Sequence, residues 1–407
     1  MSVPYTPTDW ELVSLGDHFE ITSSKRVFQR DWRPTGVPFY RARELAILGD
    51  RGRVDNELFI DRGMFDRYRK MYGAPSPGDF LVTGVGTLGK TYVVQAGDEF
   101  YFKDGNIIWL KASASVDSAF LKQLYRTPFV LDQVFGNSAG STVGTYTITN
   151  ANTTVIPLPS KSEQVAIARA LADADSLISA LESRIVKKQA IKQGVMQQLL
   201  GGETRLPGFS GGWREESIGQ LCSMRSGAPK RRIESGRYWV VDMGSVTRNS
   251  ELVVSRRSDD GSDLLRAGEL VMPKDDIGGG NIIGRTALIE RDHTYVLADH
   301  VYALTPRNID PAFLNLAINS YEVNTSLRSK VTGSAQLGLS RRGVLDQNVV
   351  YPRDVVEQRA IAGIVADVNR EIDTLRRRLV KTRGIKSGMM QELLTGRTRL
   401  PVEEVST

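Results

Sequence analysis

Two segments of the chain repeat the same spacing of apolar residues. From Ile167 to Leu199 they recur at alternating steps of four and three, with Lys188 and Lys192 filling two positions. The same steps run from Ile361 to Leu393. This spacing gives a helix one continuous apolar stripe of the kind found in coiled coils. About 38 residues at 1.5 Å per residue predict two helices roughly 57 Å long.

The two helical segments are copies of one another. Residues 163–207 align without a gap with residues 357–401, at a constant offset of 194 positions (357 − 163). Each copy has Ser160 or Asp354 three positions before a glutamate, which predicts a capping box, and ends at a glycine. An apolar stripe of this length must be shielded from solvent, so we predict that the two helices pair. The alternative is that each helix packs only on its own domain.

The regions before the two helices also align, but more faintly. Residues 77–82 resemble residues 267–272, and both lead through a glycine-rich turn into a second apolar run. Short strands, glycine-rich turns and few helices predict mixed α+β domains. The predicted organisation is a first domain at 1–159, a central helix at 160–207, a second domain at 208–353, a distal helix at 354–402 and a tail at 403–407.

One segment of the first domain has the form of a dinucleotide-binding motif. Gly84, Gly86 and Gly89 match GxGxxG after a predicted strand, and Asp104 lies near the spacing of a ribose-binding acid. The motif requires a helix to begin at the glycines, whereas residues 91–94 are β-forming. We therefore predict a hairpin here. A nucleotide-dependent or methyl-transferring enzyme that uses this loop is the alternative function.

Composition narrows the class of protein. The 407 residues include 53 Lys and Arg against 47 Asp and Glu, and this net charge of +6 permits binding to a polyanion. A single Cys222 excludes a disulfide framework, and no two of the three histidines have metal-ligand spacing. Apolar runs fall short of the ~18 residues of a membrane span. We expect a cytoplasmic protein with no membrane partner, metal or cofactor.

The repeated helices resemble those of a known family. A proline-flanked EQ-x-A-I-A helix that ends in LL-x-G-x-T-R-L-P follows each variable domain. This arrangement resembles the specificity subunits of type I restriction–modification systems over the whole chain, most strongly in the helices. The resemblance implies two tandem α/β target recognition domains, each of which reads half of a split, asymmetric sequence in double-stranded DNA. It also implies antiparallel pairing of the helices about a pseudo-two-fold axis.

The resemblance further implies partners. Such a subunit recruits two methyltransferase subunits and, in the complete complex, two motor-nuclease (restriction/translocase) subunits, and has no catalytic site itself. A two-headed scaffold that binds only proteins is a further alternative. Pseudo-two-fold symmetry predicts that Ile167 lies near Leu393 and Ile361 near Leu199. Two domains on one face of the duplex would lie about 10 to 10.5 bp apart. Half-sites of about 3 to 4 bp would then leave a gap of roughly 6 to 7 bp.

Candidate DNA contacts lie in the glycine-rich hairpins and in the loops before each helix. Arginine and lysine pair with guanine, and asparagine and glutamine with adenine, whereas phosphate contacts set affinity without reading sequence. The predicted base readers are Thr87, Lys90, Ser141, Thr142 and Tyr146 in the first domain and Lys274, Asn281, Arg285, Gln336 and Arg341 in the second. The predicted phosphate contacts are Arg26, Arg67, Lys70, Lys230, Arg232 and Arg257.

Overall fold

A computed structural model describes residues 7–55, 58–136, 144–202, 204–276, 281–333 and 337–401. The chain forms two compact units. Unit 1 consists of Met1–Leu181 and Arg378–Thr407, and unit 2 of Glu182–Arg377. Each unit therefore contains one predicted domain together with part of both long helices.

Unit 1 combines short strands with short helices and the beginning of a long helix. One four-stranded sheet has the order β2-β9-β6-β7, a second has the order β3-β5-β4-β8, and β1 pairs with β10. The strands are β1 (Glu11–Ser14), β2 (Ile21–Thr22), β3 (Trp32–Arg33), β4 (Val37–Tyr40), β5 (Phe59–Ile60), β6 (Phe80–Thr83), β7 (Thr91–Val93), β8 (Tyr101–Phe102), β9 (Ile107–Leu110) and β10 (Val155–Leu158). The helices are α1 (Leu15–His18), α2 (Ala42–Arg51), α3 (Arg62–Tyr72), α4 (Ser118–Leu124), α5 (Pro128–Gly136), α6 (Ile148–Thr153) and α7 (Lys161–Leu200), which continues into unit 2.

Unit 2 has a comparable plan. A four-stranded sheet has the order β12-β19-β15-β17, a three-stranded sheet the order β14-β13-β18, and β11 pairs with β21 and β16 with β20. The strands are β11 (Trp213–Ser217), β12 (Cys222–Ser226), β13 (Tyr238–Val241), β14 (Arg256–Ser258), β15 (Leu270–Pro273), β16 (Asp275–Asp276), β17 (Ala287–Leu288), β18 (Tyr295–Leu297), β19 (Val301–Pro306), β20 (Leu337–Gly338) and β21 (Asn348–Pro352). The helices are α8 (Ile218–Leu221), α9 (Pro311–Ile318), α10 (Tyr321–Ser329), α11 (Arg341–Leu345) and α12 (Val355–Leu393), which continues into unit 1.

The main core of unit 1 lies between its first sheet and the helices. β6 is buried along its whole length. Its residues Phe80 and Val82 form one hydrophobic cluster with Phe120 and Leu121 of α4. Asp117 caps α4 by accepting a hydrogen bond of 2.9 Å from the Phe120 amide. Ile167 of α7 and Leu393 of α12 belong to this cluster as well. The long helices are therefore part of the domain core, because their apolar positions fill it.

The core of unit 2 also includes apolar residues of both long helices. Asp310 caps α9 through a 3.0 Å hydrogen bond from the Phe313 amide, and Phe313 is fully buried. Leu199 of α7 and Ile361 of α12 belong to the same cluster as Phe313. Both residue pairs predicted to be neighbours therefore share a core, each within its own unit.

The predicted apolar stripe coincides with the covered side of each long helix. α7 has 40 residues and α12 has 39, and every predicted stripe position in both is buried or half-buried. Lys192 and Lys386, which interrupt the apolar pattern, are half-buried as well. The mixed α/β fold class and the two long helices are thus confirmed; the tandem arrangement of recognition domains and helix pairing remain predictions.

The segment from Gly84 to Gly89 is a hairpin and not a dinucleotide-binding turn. β6 pairs antiparallel with β7, and the Thr83 amide donates to the Lys90 carbonyl at 2.9 Å. Asp104, the candidate ribose-binding acid, accepts a 2.8 Å hydrogen bond from Arg26. Because a strand follows the glycines, no helix N-terminus is available to bind a pyrophosphate there.

None of the helices in the described part of the chain is both long and apolar enough to span a membrane.

Candidate nucleic-acid interface

In unit 1 the glycine-rich hairpin loop lies against the segment that precedes the final domain strand. Val85 and Thr145 form an antiparallel bridge, and the Tyr146 amide donates to the Gly84 carbonyl at 2.9 Å. A Cβ atom on Gly84 would lie 2.3 Å from the Tyr146 carbonyl oxygen, so only glycine fits this approach. Two loops predicted separately to contact DNA are thus held side by side, with Thr87 exposed on the hairpin.

Unit 2 brings together the corresponding two loops by strand pairing. β16 pairs with β20, and the Leu339 amide donates to the Lys274 carbonyl at 2.7 Å. The Asp276 carboxylate accepts a 2.9 Å hydrogen bond from the Ile282 amide. Lys274 and Asn281 are half-buried at this junction, and Arg341 is exposed at the start of α11.

Several predicted phosphate contacts are exposed basic side chains. Arg67 and Lys70 occupy exposed positions on α3, and Arg232 is exposed before β13. The Arg26 side chain keeps 67% of its surface exposed although it pairs with Asp104. These positions allow contact with a polyanion without rearrangement of the fold.

Comparison with known proteins identifies the family of this region. Residues 7–193 match the family model described as the type I restriction modification DNA specificity domain. These residues belong to that family. The resemblance predicted from the sequence is thereby confirmed.

Relatives of the specificity domain extend the likeness to the whole chain. A Haemophilus influenzae protein provisionally described as a type I restriction enzyme specificity subunit is 26% identical over 172 residues, 42% of each chain. The chain thus spans less than half of that relative's length. The type I restriction enzyme MjaVIII specificity subunit of Methanocaldococcus jannaschii is 22% identical over 424 residues, covering 97% of this chain and 94% of that protein.

Solved structures show the same fold. The S subunit of a type I restriction-modification system from M. genitalium has a TM-score of 0.61 at 15% identity, covering 96% of this chain and 98% of its own. A chain from a structure of type I system assembly has a TM-score of 0.53 at 15% identity and covers 97% and 99%. At this identity the likeness concerns the fold alone.

Tyr146 was predicted to contact a base, but it is a core residue of the specificity domain. Its side chain is 2% exposed, and its hydroxyl lies 3.0 Å from the Tyr125 hydroxyl and 2.7 Å from Thr154 Oγ1. Burial raises the pKa of Tyr146, so the phenol stays neutral. The prediction was wrong because loop position in the sequence does not reveal which side of the backbone faces the core.

Lys230 was predicted to contact phosphate, but its ammonium group pairs with acidic side chains within unit 2. The side chain has no exposed surface, and Nζ lies 3.2 Å from the Asp260 carboxylate and 3.1 Å from that of Asp263. Hydrogen bonds from Ser262 and from Lys230 lower the pKa of Asp260 to about 2. Both acids lie some thirty positions from Lys230 along the chain. The local cluster of basic residues in the sequence therefore could not indicate this pairing.

Several other predicted residues form ion pairs, hydrogen bonds or ring contacts within the chain. Lys90 pairs with Asp50 at 3.0 Å, and the Arg257 guanidinium lies 3.9 Å from the centre of the Trp239 ring. The Arg341 guanidinium donates a 2.6 Å hydrogen bond to the Met224 carbonyl, and that of Arg285 a 3.2 Å bond to the Asn319 carbonyl. Ser141, Thr142 and Gln336 lie outside the described residues.

Two arginines that were not among the predicted site residues connect the ends of the long helices. Arg205 follows α7 and donates two 2.7 Å hydrogen bonds to Glu357, which lies in the first turn of α12. Arg399 follows α12 and donates likewise to Glu163, in the first turn of α7. The capping-box prediction was therefore only half right. The Ser160 hydroxyl accepts from the Glu163 amide at 3.3 Å, but the glutamate carboxylates bind arginine. The repeated TRLP sequence was the available signal.

Proposed function

We propose that this chain is the DNA-sequence-specificity subunit of a type I restriction–modification complex and has no catalytic activity of its own. Each domain would read one half of a bipartite, asymmetric target in double-stranded DNA. The observation that carries the proposal is the match of residues 7–193 to the DNA specificity domain family. The internal repeat extends the argument to the second half, because both halves end in the same helix.

Base reading would take place at the paired loops of each unit. In unit 1 the exposed Thr87 and the adjacent Lys90 lie on the hairpin, and Ser141 and Thr142 precede its partner segment. In unit 2 the corresponding candidates are Lys274, Asn281, Arg285, Gln336 and Arg341. Side chains of these types match the donor and acceptor patterns of the major groove. Since the two sets differ, the two half-sites should differ in sequence.

Phosphate contacts would come from the basic residues around these loops. Exposed guanidinium and ammonium groups neutralise phosphates and release counterions, so they raise affinity for every sequence and make binding depend on salt. The residues proposed for this role are Arg26, Arg67, Lys70, Arg232 and Arg257.

The two long helices would pair antiparallel and set the distance between the half-sites. In unit 1, Ile167 near the start of α7 shares a core with Leu393 at the end of α12. In unit 2, Leu199 near the end of α7 shares a core with Ile361 near the start of α12. These contacts support antiparallel pairing. With docking sites about one turn apart, the unread gap would be roughly 6 to 7 bp.

The same helices would dock two methyltransferase subunits and, in the complete complex, two restriction/translocase subunits. Val186 and Ile191 of α7 are exposed, 66% and 43%, and their counterparts Val380 and Ile385 of α12 are 70% and 53% exposed. Two corresponding apolar patches, related by the offset of 194 positions, suit two copies of one partner.

Methylation mapping tests the proposal. The chain is co-expressed with its neighbouring methyltransferase subunit, and modified bases are mapped across the genome. We expect one bipartite motif with a gap near 6 to 7 bp. An active, bound methyltransferase that gains no sequence preference from this chain would favour the protein-only scaffold. Binding of S-adenosylmethionine or a dinucleotide by the isolated chain would favour the enzyme alternative.

A further inference from the structure

The internal repeat allows two clusters of cations to be compared position by position. In unit 1, Asp175 of α7 accepts a 2.8 Å hydrogen bond from Arg126 and another from Lys386 of α12. Burial opposes ionisation here, but the hydrogen bonds from Lys386 and Arg126 lower the pKa of Asp175 overall. A carboxylate of the chain itself thus neutralises the cations at this position.

Unit 2 keeps the lysine of this cluster but not its carboxylate. At the offset of 194, Lys386 corresponds to Lys192 and Asp175 corresponds to Asn369. Burial lowers the pKa of Lys192, and among the described residues this lysine makes no ion pair. The two acids whose charges act on Lys192, Glu251 and Asp373, are each paired with Arg376 at 3.3 Å.

A second cation of unit 2, Arg285, also lacks an acidic partner, although the corresponding residue of unit 1, Lys90, has one. Gly89 lies between β6 and β7, and Gly284 lies between β15 and β17, which pair antiparallel in the same way. The residues that follow these glycines, Lys90 and Arg285, therefore correspond. Lys90 pairs with Asp50 at 3.0 Å, whereas Arg285 makes no ion pair among the described residues. Its Nε is buried and has no hydrogen-bond partner in that part of the chain. A buried donor of this kind is costly unless an acceptor is supplied.

A cavity of about 600 Å³ lies where these groups meet. Its lining includes the cations Lys192, Arg248 and Arg285, the acid Glu322, and the amides Asn369 and Asn315. Three cations face one carboxylate, and the amides offer further donors. Guanidinium and ammonium groups bind carboxylate and phosphate through short, charge-assisted hydrogen bonds.

We propose that this cavity of unit 2 binds a small oxyanion of the phosphate or carboxylate type. The anion would provide, beside Asn369, the negative charge that Asp175 provides in unit 1. It would thereby stabilise the packing of α7 and α12 against α9 in unit 2. Because Lys192, Asn315 and Asn369 of the lining are not among the predicted DNA contacts, anion binding can be measured without DNA.

The test is a titration of the full-length chain with inorganic phosphate, and in a second arm with succinate, at constant ionic strength. Calorimetry measures binding, and hydrogen–deuterium exchange measures protection of residues 362–376. We expect saturable binding with protection confined to unit 2, and roughly tenfold weaker binding in Arg285→Gln and Lys192→Gln. The stronger of the two arms identifies whether phosphate or carboxylate is preferred.

Two nearly isosteric substitutions make the test decisive. Asn369→Asp restores the internal carboxylate, so it should protect residues 362–376 without added anion and abolish binding. Asp175→Asn removes the carboxylate of unit 1, so it should create a second, anion-dependent response in residues 161–181. The proposal is overturned if the wild-type chain binds neither anion. It is equally overturned if Asn369→Asp responds as the wild type does, since the effect would then be one of an adventitious ion only.

Discussion

Arg205 donates two hydrogen bonds of 2.7 Å to the Glu357 carboxylate, and these join the segment after α7 to the first turn of α12. The carboxylate is 1% exposed. Glu163 is equally buried, and its pairing with Arg399 repeats the arrangement 194 positions away. A planar guanidinium satisfies both carboxylate oxygens at once, which a lysine cannot do.

Replacing Arg205 should therefore destabilise unit 2. Arg205→Ala leaves the Glu357 carboxylate buried without its partner, and we expect the thermal unfolding midpoint to fall by several degrees. Arg205→Lys should recover only part of the loss. Glu357→Gln in the Arg205→Ala background should restore some stability, because an amide is less costly to bury than an unpaired charge. Equal midpoints for all variants would show that the pair contributes nothing.

Acid should weaken unit 1 through Asp175. Since folding lowers the pKa of Asp175, the ionised carboxylate contributes stability above its unfolded pKa, about 3.9, and loses it as the pH falls through the folded value. Asp175→Asn should thus be less stable than the wild type at pH 6, and the two should converge toward pH 3. The matched control is Asp173→Asn, at an exposed position of the same helix. A constant difference across this range would contradict the prediction.

Two neighbouring cations should differ in their effect on DNA binding. Arg232 is exposed, whereas the Lys230 side chain is buried against acids. In the assembled methyltransferase complex, Arg232→Gln should weaken binding to all sequences and reduce the slope of log K against log salt by about one. Lys230→Gln should leave that slope unchanged while lowering stability. Identical slopes for wild type and Arg232→Gln would remove Arg232 from the phosphate contacts.

Lengthening both helices should lengthen the recognised gap. Seven residues inserted after Arg184 and seven after Arg378 keep the apolar stripe in phase and add about 10.5 Å, close to 3 bp of DNA. Methylation mapping should then find the same half-sites with a wider gap. An insertion in one helix alone is the control, because it disrupts the pairing and should abolish activity. An unchanged gap in the double insertion would show that the helices do not set the distance between the half-sites.

The two apolar patches should act independently in assembly. Val186→Glu or Val380→Glu should each remove one of two bound methyltransferase subunits, and the double variant should remove both, as measured by the mass of the complex in solution. Val253→Glu, at a 55% exposed position outside the helices, should have no effect. Full assembly of the double variant would place the docking surface elsewhere.

Features that depend on near neighbours in the chain could be predicted from the sequence. The 4-3 spacing fixed which side of α7 and α12 is covered, and a β-forming run after Gly89 fixed the hairpin. Such patterns suffice because helix and strand periodicity are local properties of the backbone. The repeated helix motif also carried the resemblance to the family whose model matches residues 7–193.

The partners of the charged and polar side chains could be learned only from the three-dimensional fold. Lys230 is neutralised by Asp260 and Asp263, and Glu163 bonds an arginine 236 positions away instead of completing a capping box. The burial of Tyr146 likewise depends on Tyr125 and Thr154, which loop position could not reveal. The strength of an electrostatic contact depends on distance and solvation in space, and neither is encoded in separation along the chain.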